Sequence, residues 1–224
     1  MRRMVKSGSK HAAALAALLA AALMSGVPIA GAADNALDAY LTGLKTLRSQ
    51  FEQQVVDAQG KDVEQGSGTL LVQRPGRFRW EYTPQGGGTQ LLVADARNLW
   101  FYDKDLDQVT VKPVASALSA TPVTLLSGTP EALQEAFDVS AQPATEGLNW
   151  VRVVPRQAQA DFSSAELGFA GNELKRMRIH DRLGQVVTLS FSRSERNARL
   201  PAADLQFAPP KGADVIGTPV AGGG

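Results

Sequence analysis

Asp103, Asp105 and Asp107 are spaced like the opening of a calcium-binding EF-hand loop, in which alternate carboxylates converge on one cation. The imitation ends there, because Gln108 replaces the glycine of the sharp turn and Val114 stands where a bidentate glutamate belongs. The triplet therefore reads as the acidic end of a hairpin. His180, flanked by Arg178 and Asp181, has no nucleophile elbow of the Ser-x-Gly kind in the chain and reads as a surface histidine. Cysteine is absent, which removes disulfides, thiolate nucleophiles and the common cysteine-containing metal sites. The remaining carboxylates are scattered, and nothing in their spacing singles out an acid/base pair. The expectation is a chain with no enzymatic activity, no cofactor and no metal.

The densest segment is R-P-G-R-F-R-W-E-Y, Arg74 to Tyr82. On a strand, alternation puts Phe78, Trp80 and Tyr82 on one face and Arg77, Arg79 and Glu81 on the other. Such an aromatic stripe either packs in a core or lines a ligand cavity, and alternation alone does not choose.

The surrounding elements follow from periodicity. Asp34 or Asn35 can cap a helix whose Leu37, Tyr40, Leu41, Leu44 and Leu47 form one apolar stripe. Short runs separated by turn residues then predict strands over 51–57, 66–73, 77–83, 90–95, 99–103 and 108–112, a local meander. Thr121-Pro122 and Thr129-Pro130 each place a capping hydroxyl before a proline at the first helical position, predicting short helices over 123–127 and 131–137. Strands are predicted again over 150–154, 164–169, 174–180, 186–194 and 205–207, and the glycine-rich end after Pro219 reads as a frayed tail. The fold class is mainly β with a few helices. About eleven antiparallel strands must curl, close or be covered. If they curl incompletely, the concave face is apolar and the few helices are its cover, which makes a cavity for something greasy.

The chain has 224 residues, 44% of them hydrophobic and 20% charged, enough for a folded core. Its start is a signal peptide in form. Arg2, Arg3, Lys6 and Lys10 precede an apolar stretch from Ala12 to Met24, then Pro28 and the small residues Ala30 to Ala33, with cleavage expected near Ala32 or Ala33. The Arg2-Arg3 pair also permits twin-arginine export. Residues 1–33 would thus be removed and 34–224 form a single domain. Removal takes away four Lys/Arg and no acid, leaving 19 bases against 22 acids and a formal charge of about −3. The remaining bases are interspersed with acids, so no nucleic-acid footprint is expected.

The succession F-x-Q, G-x-G-x-L, R-P-x-x-F-R-W, L-V-A-D, L-W-F-Y-D, Q-V-T-V and T-P resembles the LolA family of periplasmic outer-membrane lipoprotein carriers. Its landmarks are Phe51, Gln53, Gly66, Gly68, Leu70, Arg74, Pro75, Phe78, Arg79, Trp80, Asp95, Leu99, Trp100, Tyr102, Asp103, Gln108, Thr121 and Pro122. The match weakens after Ala141, where strand spacing and F-x-P-P at Phe207 to Pro210 continue it. The resemblance implies an incomplete antiparallel β-barrel whose apolar concave face is closed by an N-terminal helix and short lid helices. It implies a chaperone, monomeric as a one-to-one carrier, that takes acylated lipoproteins from an inner-membrane ATP-driven (ABC-type) exporter to a lipid-anchored outer-membrane receptor. Arg74 would fasten the lid. Phe78 would stand near the cavity mouth, Trp80, Leu125 and Leu126 would line cavity and lid, and Leu37, Leu41 and Leu44 would be the first helix's share. Core packing is the alternative for each leucine. The rival reading of the whole chain is a periplasmic lipid- or lipoprotein-sensing regulatory module of the same fold, which its single-domain length disfavours. A lipid or glycan hydrolase is the third.

Overall fold

The computed structural model describes residues 31–114, 122–158 and 160–221, with side chains from Ala36 onward. The predicted signal up to residue 30 and the predicted cap Thr121 lie outside the described residues. Helix α1 spans Gly31–Leu41, starting ahead of Asp34 and Asn35 because Ala32 and Ala33 favour the helix. It stops short of Leu44 and Leu47. Gly43 takes a left-handed φ of +68°, which ends the helix, and Leu47 falls instead on the first strand.

Six strands follow as a meander: β1 (Thr46–Val56), β2 (Asp62–Gln73), β3 (Arg77–Pro84), β4 (Gln90–Asp95), β5 (Asn98–Asp103) and β6 (Gln108–Pro113). Two short helices, α2 (Thr124–Ser127) and α3 (Pro130–Ala136), lead to a second meander of β7 (Phe137–Thr145), β8 (Leu148–Pro155), β9 (Phe162–Ala170), β10 (Glu173–Asp181) and β11 (Val186–Arg196). The Thr129 hydroxyl accepts from the Ala132 amide and Pro130 opens α3, as the Thr-Pro motif requires.

The predicted strand at 205–207 is instead a 3-10 turn, Ala202–Leu205, and two strands were not anticipated: β7 and the short β12 (Asp214–Ile216). β7 carries Gln142 and Pro143 and is weakly patterned because it is an edge strand. Val220 is not frayed. It exchanges hydrogen bonds with the Asn98 side chain, giving its amide at 2.8 Å and accepting at its carbonyl at 3.2 Å.

All twelve strands form one open sheet, in the order β12-β6-β5-β4-β3-β2-β1-β11-β10-β9-β8-β7. The β1–β11 pair joins the meanders through partners such as Phe51 and Phe191, and every pair is antiparallel except β12 with β6. The curl is made possible at two glycines. A Cβ on Gly68 would lie 2.0 Å from the Glu81 carbonyl oxygen and 2.4 Å from the Phe51 ring, and one on Gly66 would strike the Tyr82 ring. The bare backbone of β2 lets the Phe51 ring lie against Trp80, with centroids 3.9 Å apart.

The concave face is covered by α1, α2 and α3, and Leu37, Tyr40, Leu41, Leu44, Leu125, Leu126 and Leu133 join one core with Phe51, Phe78, Leu167 and Phe169. A smaller core on the convex face, centred on Val93, Trp100 and Val109, is covered by Phe207 and Ala213 of the C-terminal arm. Asp95 anchors that side, accepting from the Arg97 and Asn98 amides and, at 2.8 Å, from the Trp100 indole. Burial raises the Asp95 carboxyl, but the Trp100 and backbone donors outweigh it and hold the group below the ordinary carboxylate value.

Gly68→Ala is expected to cost about 1–3 kcal/mol or more by forcing β2 and β3 apart, read as a lower urea midpoint. An unchanged midpoint would contradict the close approach. Because Asp95 is depressed in the folded state, its contribution is complete above the unfolded value of about 3.9 and is lost as pH falls through the folded one. The midpoint difference between wild type and Asp95→Asn should accordingly be present at pH 7 and shrink below about pH 4. A difference independent of pH would contradict this assignment.

Candidate functional site

The site forms where the β2–β3 turn meets the ends of two covering helices. Arg74 leaves β2 just before the cis Arg74-Pro75 bond, and its own amide bonds the Lys45 carbonyl at 2.8 Å, fixing the turn to the segment after α1. Its guanidinium reaches in two directions. Nη1 donates to the Leu41 carbonyl at 2.7 Å, at the C-terminus of α1, while Nε and Nη2 both donate to the Gly128 carbonyl, at 3.1 and 2.7 Å, just past α2. The neighbouring Gly76 amide bonds the Ser127 carbonyl at 2.8 Å. Helix C-termini present carbonyls without intrahelical partners, and a planar cation with five donors suits two of them at once. Burial pulls the Arg74 guanidinium below its usual value and Glu131 opposes this; a guanidinium stays charged in a protein all the same.

Behind this junction, between α2 and the concave sheet face, lies a cavity of about 200 Å³. Trp80 and Leu92 form one wall, Val123 and Leu126 the roof, and Met177, Ile179, Val187, Leu189 and Phe191 the opposite wall, with Gln53 the one side-chain amide among the described residues that line it. A second cleft of about 250 Å³ separates α1 from α3. Leu37, Leu41 and Leu133 floor it, but Asp38, Gln134 and Arg156 make its walls half polar. Two broader hollows on the convex face, of about 580 and 560 Å³, are lined by serines, threonines, glutamines and Glu52. Volume alone would favour the hollows. Chemistry favours the smaller cavity for an aliphatic ligand, since hydrocarbon gains nothing beside hydroxyls and carboxamides.

The predicted site residues are thus divided. Trp80 and Leu126 face the same cavity, Leu37 and Leu41 line the α1–α3 cleft, and Arg74 stands where α1 and α2 end. Leu44, Leu125 and Phe78 line neither and are buried in the core, Phe78 at 1% exposure. Phe78 pairs with Val72 and Ala94 rather than standing at a rim, so a charge there would attack stability before function. The cavity wall from β10 and β11 was not singled out in the sequence, although Met177/Ile179 and Val187/Leu189/Phe191 carry the two-residue alternation that marks it.

The other candidates resolve as turn chemistry or packing. Asp103 spends one carboxylate oxygen on the Asp105 and Leu106 amides of its own hairpin, and among the described residues no three acidic or histidine side chains are grouped to hold a metal. His180 is half-buried rather than at the surface, with its Nε2 3.9 Å from Glu166 Oε2 and without a hydrogen-bond partner among the described residues. No helix of the described residues is long and apolar enough to cross a membrane.

Residues 42–208 match the family described as outer membrane lipoprotein carrier protein LolA. Outer-membrane lipoprotein carrier proteins of three bacteria are similar along nearly their whole length. That of Methylibium petroleiphilum is 41% identical over 89% of this chain and 96% of its own. That of Dechloromonas aromatica is 39% identical over 84% and 88%, and that of Bordetella pertussis 38% over 92% and 97%. A crystal structure of an uncharacterized conserved protein from Thermus thermophilus superimposes with a TM-score of 0.51 at 19% identity, covering 82% of this chain and 97% of that one, and shares the fold. With the family's pattern spanning three quarters of its length and relatives of this closeness, the chain belongs to the LolA family of outer-membrane lipoprotein carrier proteins.

Proposed function

We propose that this protein is a periplasmic chaperone that takes acylated lipoproteins from an ATP-driven inner-membrane exporter to a lipid-anchored outer-membrane receptor, shielding the acyl chains against its concave face. Residues 1–33 act as a cleaved signal, 34–224 as a single monomeric carrier domain, and the carrier does its work without catalysis or nucleotide. The observation that carries the reading is Arg74, whose guanidinium bonds the ends of both α1 and α2 over an apolar sheet face.

The magnitudes suit a container that opens. The cavity of about 200 Å³ is smaller than the roughly 300–1,000 Å³ of ordinary small-molecule sites, so several acyl chains enter only if the cover moves. A charge-assisted hydrogen bond contributes roughly 1.5–3 kcal/mol, and each buried methylene about 0.8 kcal/mol. Burying about two to four methylenes offsets one such bond, and about four to eight offset the two from Arg74 to Gly128. Trp80 and Leu126 receive the first of the chain, and Leu37, Leu41 and Leu44 contribute the α1 side of the cover. Phe78 and Leu125 back the cavity from the core. When cargo leaves, the reformed bonds to Arg74 help drive release.

Incubated with spheroplasts that display the exporter, the purified carrier should release acylated lipoprotein as a soluble complex. Failure to release any, with exporter and ATP present, would overturn the reading. Arg74→Leu should still fold and take up cargo but deliver it to receptor-bearing membranes at least about tenfold more slowly, because closing over an empty cavity no longer regains those bonds. Delivery at the wild-type rate would contradict the role given to Arg74.

A further inference from the structure

The end of α1 is gripped by more than Arg74. At the end of α1, Arg196 donates from Nη1 to the Tyr40 carbonyl at 2.6 Å and from Nη2 to the Thr42 carbonyl at 3.4 Å, while its guanidinium lies 4.8 Å from the Tyr40 ring centroid. Asn197, left-handed at φ +58°, continues the grip. Its Nδ2 donates to the Gly43 carbonyl at 3.0 Å and its Oδ1 accepts from the Lys45 amide at 2.8 Å. The Tyr40 ring packs on Phe169 of β9, with centroids 5.4 Å apart. The carbonyls of residues 40–43 are thus met by three side chains, those of Arg74, Arg196 and Asn197. The α2 helix is four residues long and takes the bonds from Gly76 and Arg74 near its end. It also carries a cost in the closed position, since the Ser127 hydroxyl is buried without a hydrogen-bond partner.

We propose that Arg196, supported by Asn197, is a positioning residue that anchors α1 to the end of β11, so that α1 stays on the sheet and only the α2 segment leaves when a ligand enters. Arg74 then keeps its bond to Leu41 and gives up those to Gly128, which returns the same guanidinium to place for closing. The identity of the ligand as an acyl chain rests on the carrier reading; the grip on α1 does not.

Segment-resolved hydrogen–deuterium exchange on the exported protein tests this, free and with a synthetic tripalmitoylated cysteinyl lipopeptide. In the free protein, amides of residues 37–44 should exchange at least about tenfold more slowly than those of 122–128. With lipopeptide, 122–128 should lose protection while 37–44 keep theirs. Arg196→Ala should speed exchange over 37–44 by about tenfold or more with the global unfolding midpoint nearly kept, and Arg196→Lys should restore most of the protection. Should Arg196→Ala not fold, Asn197→Gly retains the left-handed backbone, deletes the side-chain bonds and should raise exchange in the same segment. The proposal is overturned if wild-type 37–44 opens together with 122–128, or if the folded variants protect 37–44 as wild type does. Failure of the lipopeptide to co-elute with the protein would instead count against the carrier reading, and exchange in the free protein would still decide the anchor.

Discussion

A curled sheet with an apolar concave face cannot stand open in water, and a cover welded to it could admit nothing. Under the proposed carrier role both demands are met by separating the kinds of interaction involved. Contact between helices and sheet is apolar and non-directional, supplied by Leu37, Leu41, Leu125 and Leu126 against Phe51, Leu167 and Phe169. Position is set by a few directional bonds to helix-end carbonyls, from Arg74 to both helices and from Arg196 and Asn197 to the end of α1. An aliphatic chain can replace leucines as partners of the sheet with little loss, because hydrocarbon packs against hydrocarbon either way. It cannot replace the guanidinium, so the polar contacts report whether the cover is closed.

The convex side of the same sheet is built to stay shut. Trp100 and Val109 pack under Phe207, β12 adds in parallel to β6, and the reciprocal bonds between Asn98 and Val220 tie down the end of the arm. The outward-facing row of β3 is ionic, with Glu81 held between Arg79 at 3.4 Å and Lys104 at 3.1 Å. Burial raises the Glu81 carboxyl, and these two cations bring it below its ordinary value. The convex face outside that small core is thereby polar and ionic.

Much of this was legible in the residues. Strand alternation from Arg77 to Tyr82 placed the aromatic and ionic faces correctly, and the Thr129-Pro130 start of α3 was visible because capping chemistry is local. What escaped depends on tertiary context. The apolar stripe from Leu37 to Leu47 is continuous in sequence, yet Gly43 breaks it between helix and strand, and both parts remain buried against the same core. β7 is an edge strand with a proline, and the grip of Arg196 and Asn197 on α1 joins residues more than 150 positions apart, which no periodicity records. For Phe78, alternation left core and cavity open, and the structure buries it. An aromatic at the right motif position is fully in the core, because the face of β3 that holds Trp80 at the cavity extends under the cover at Phe78.

The central claim, that acyl chains enter between α2 and the concave face, is tested most directly by a photoreactive amino acid placed at Leu126, which roofs the cavity, and at Leu106, 71% exposed on a hairpin of the sheet. With lipoprotein carrying radiolabelled acyl chains, loaded and then irradiated, an adduct to the acyl group should form from position 126 and not from position 106. Equal adducts at both positions, or none at 126 in a complex that still holds its cargo, would contradict it.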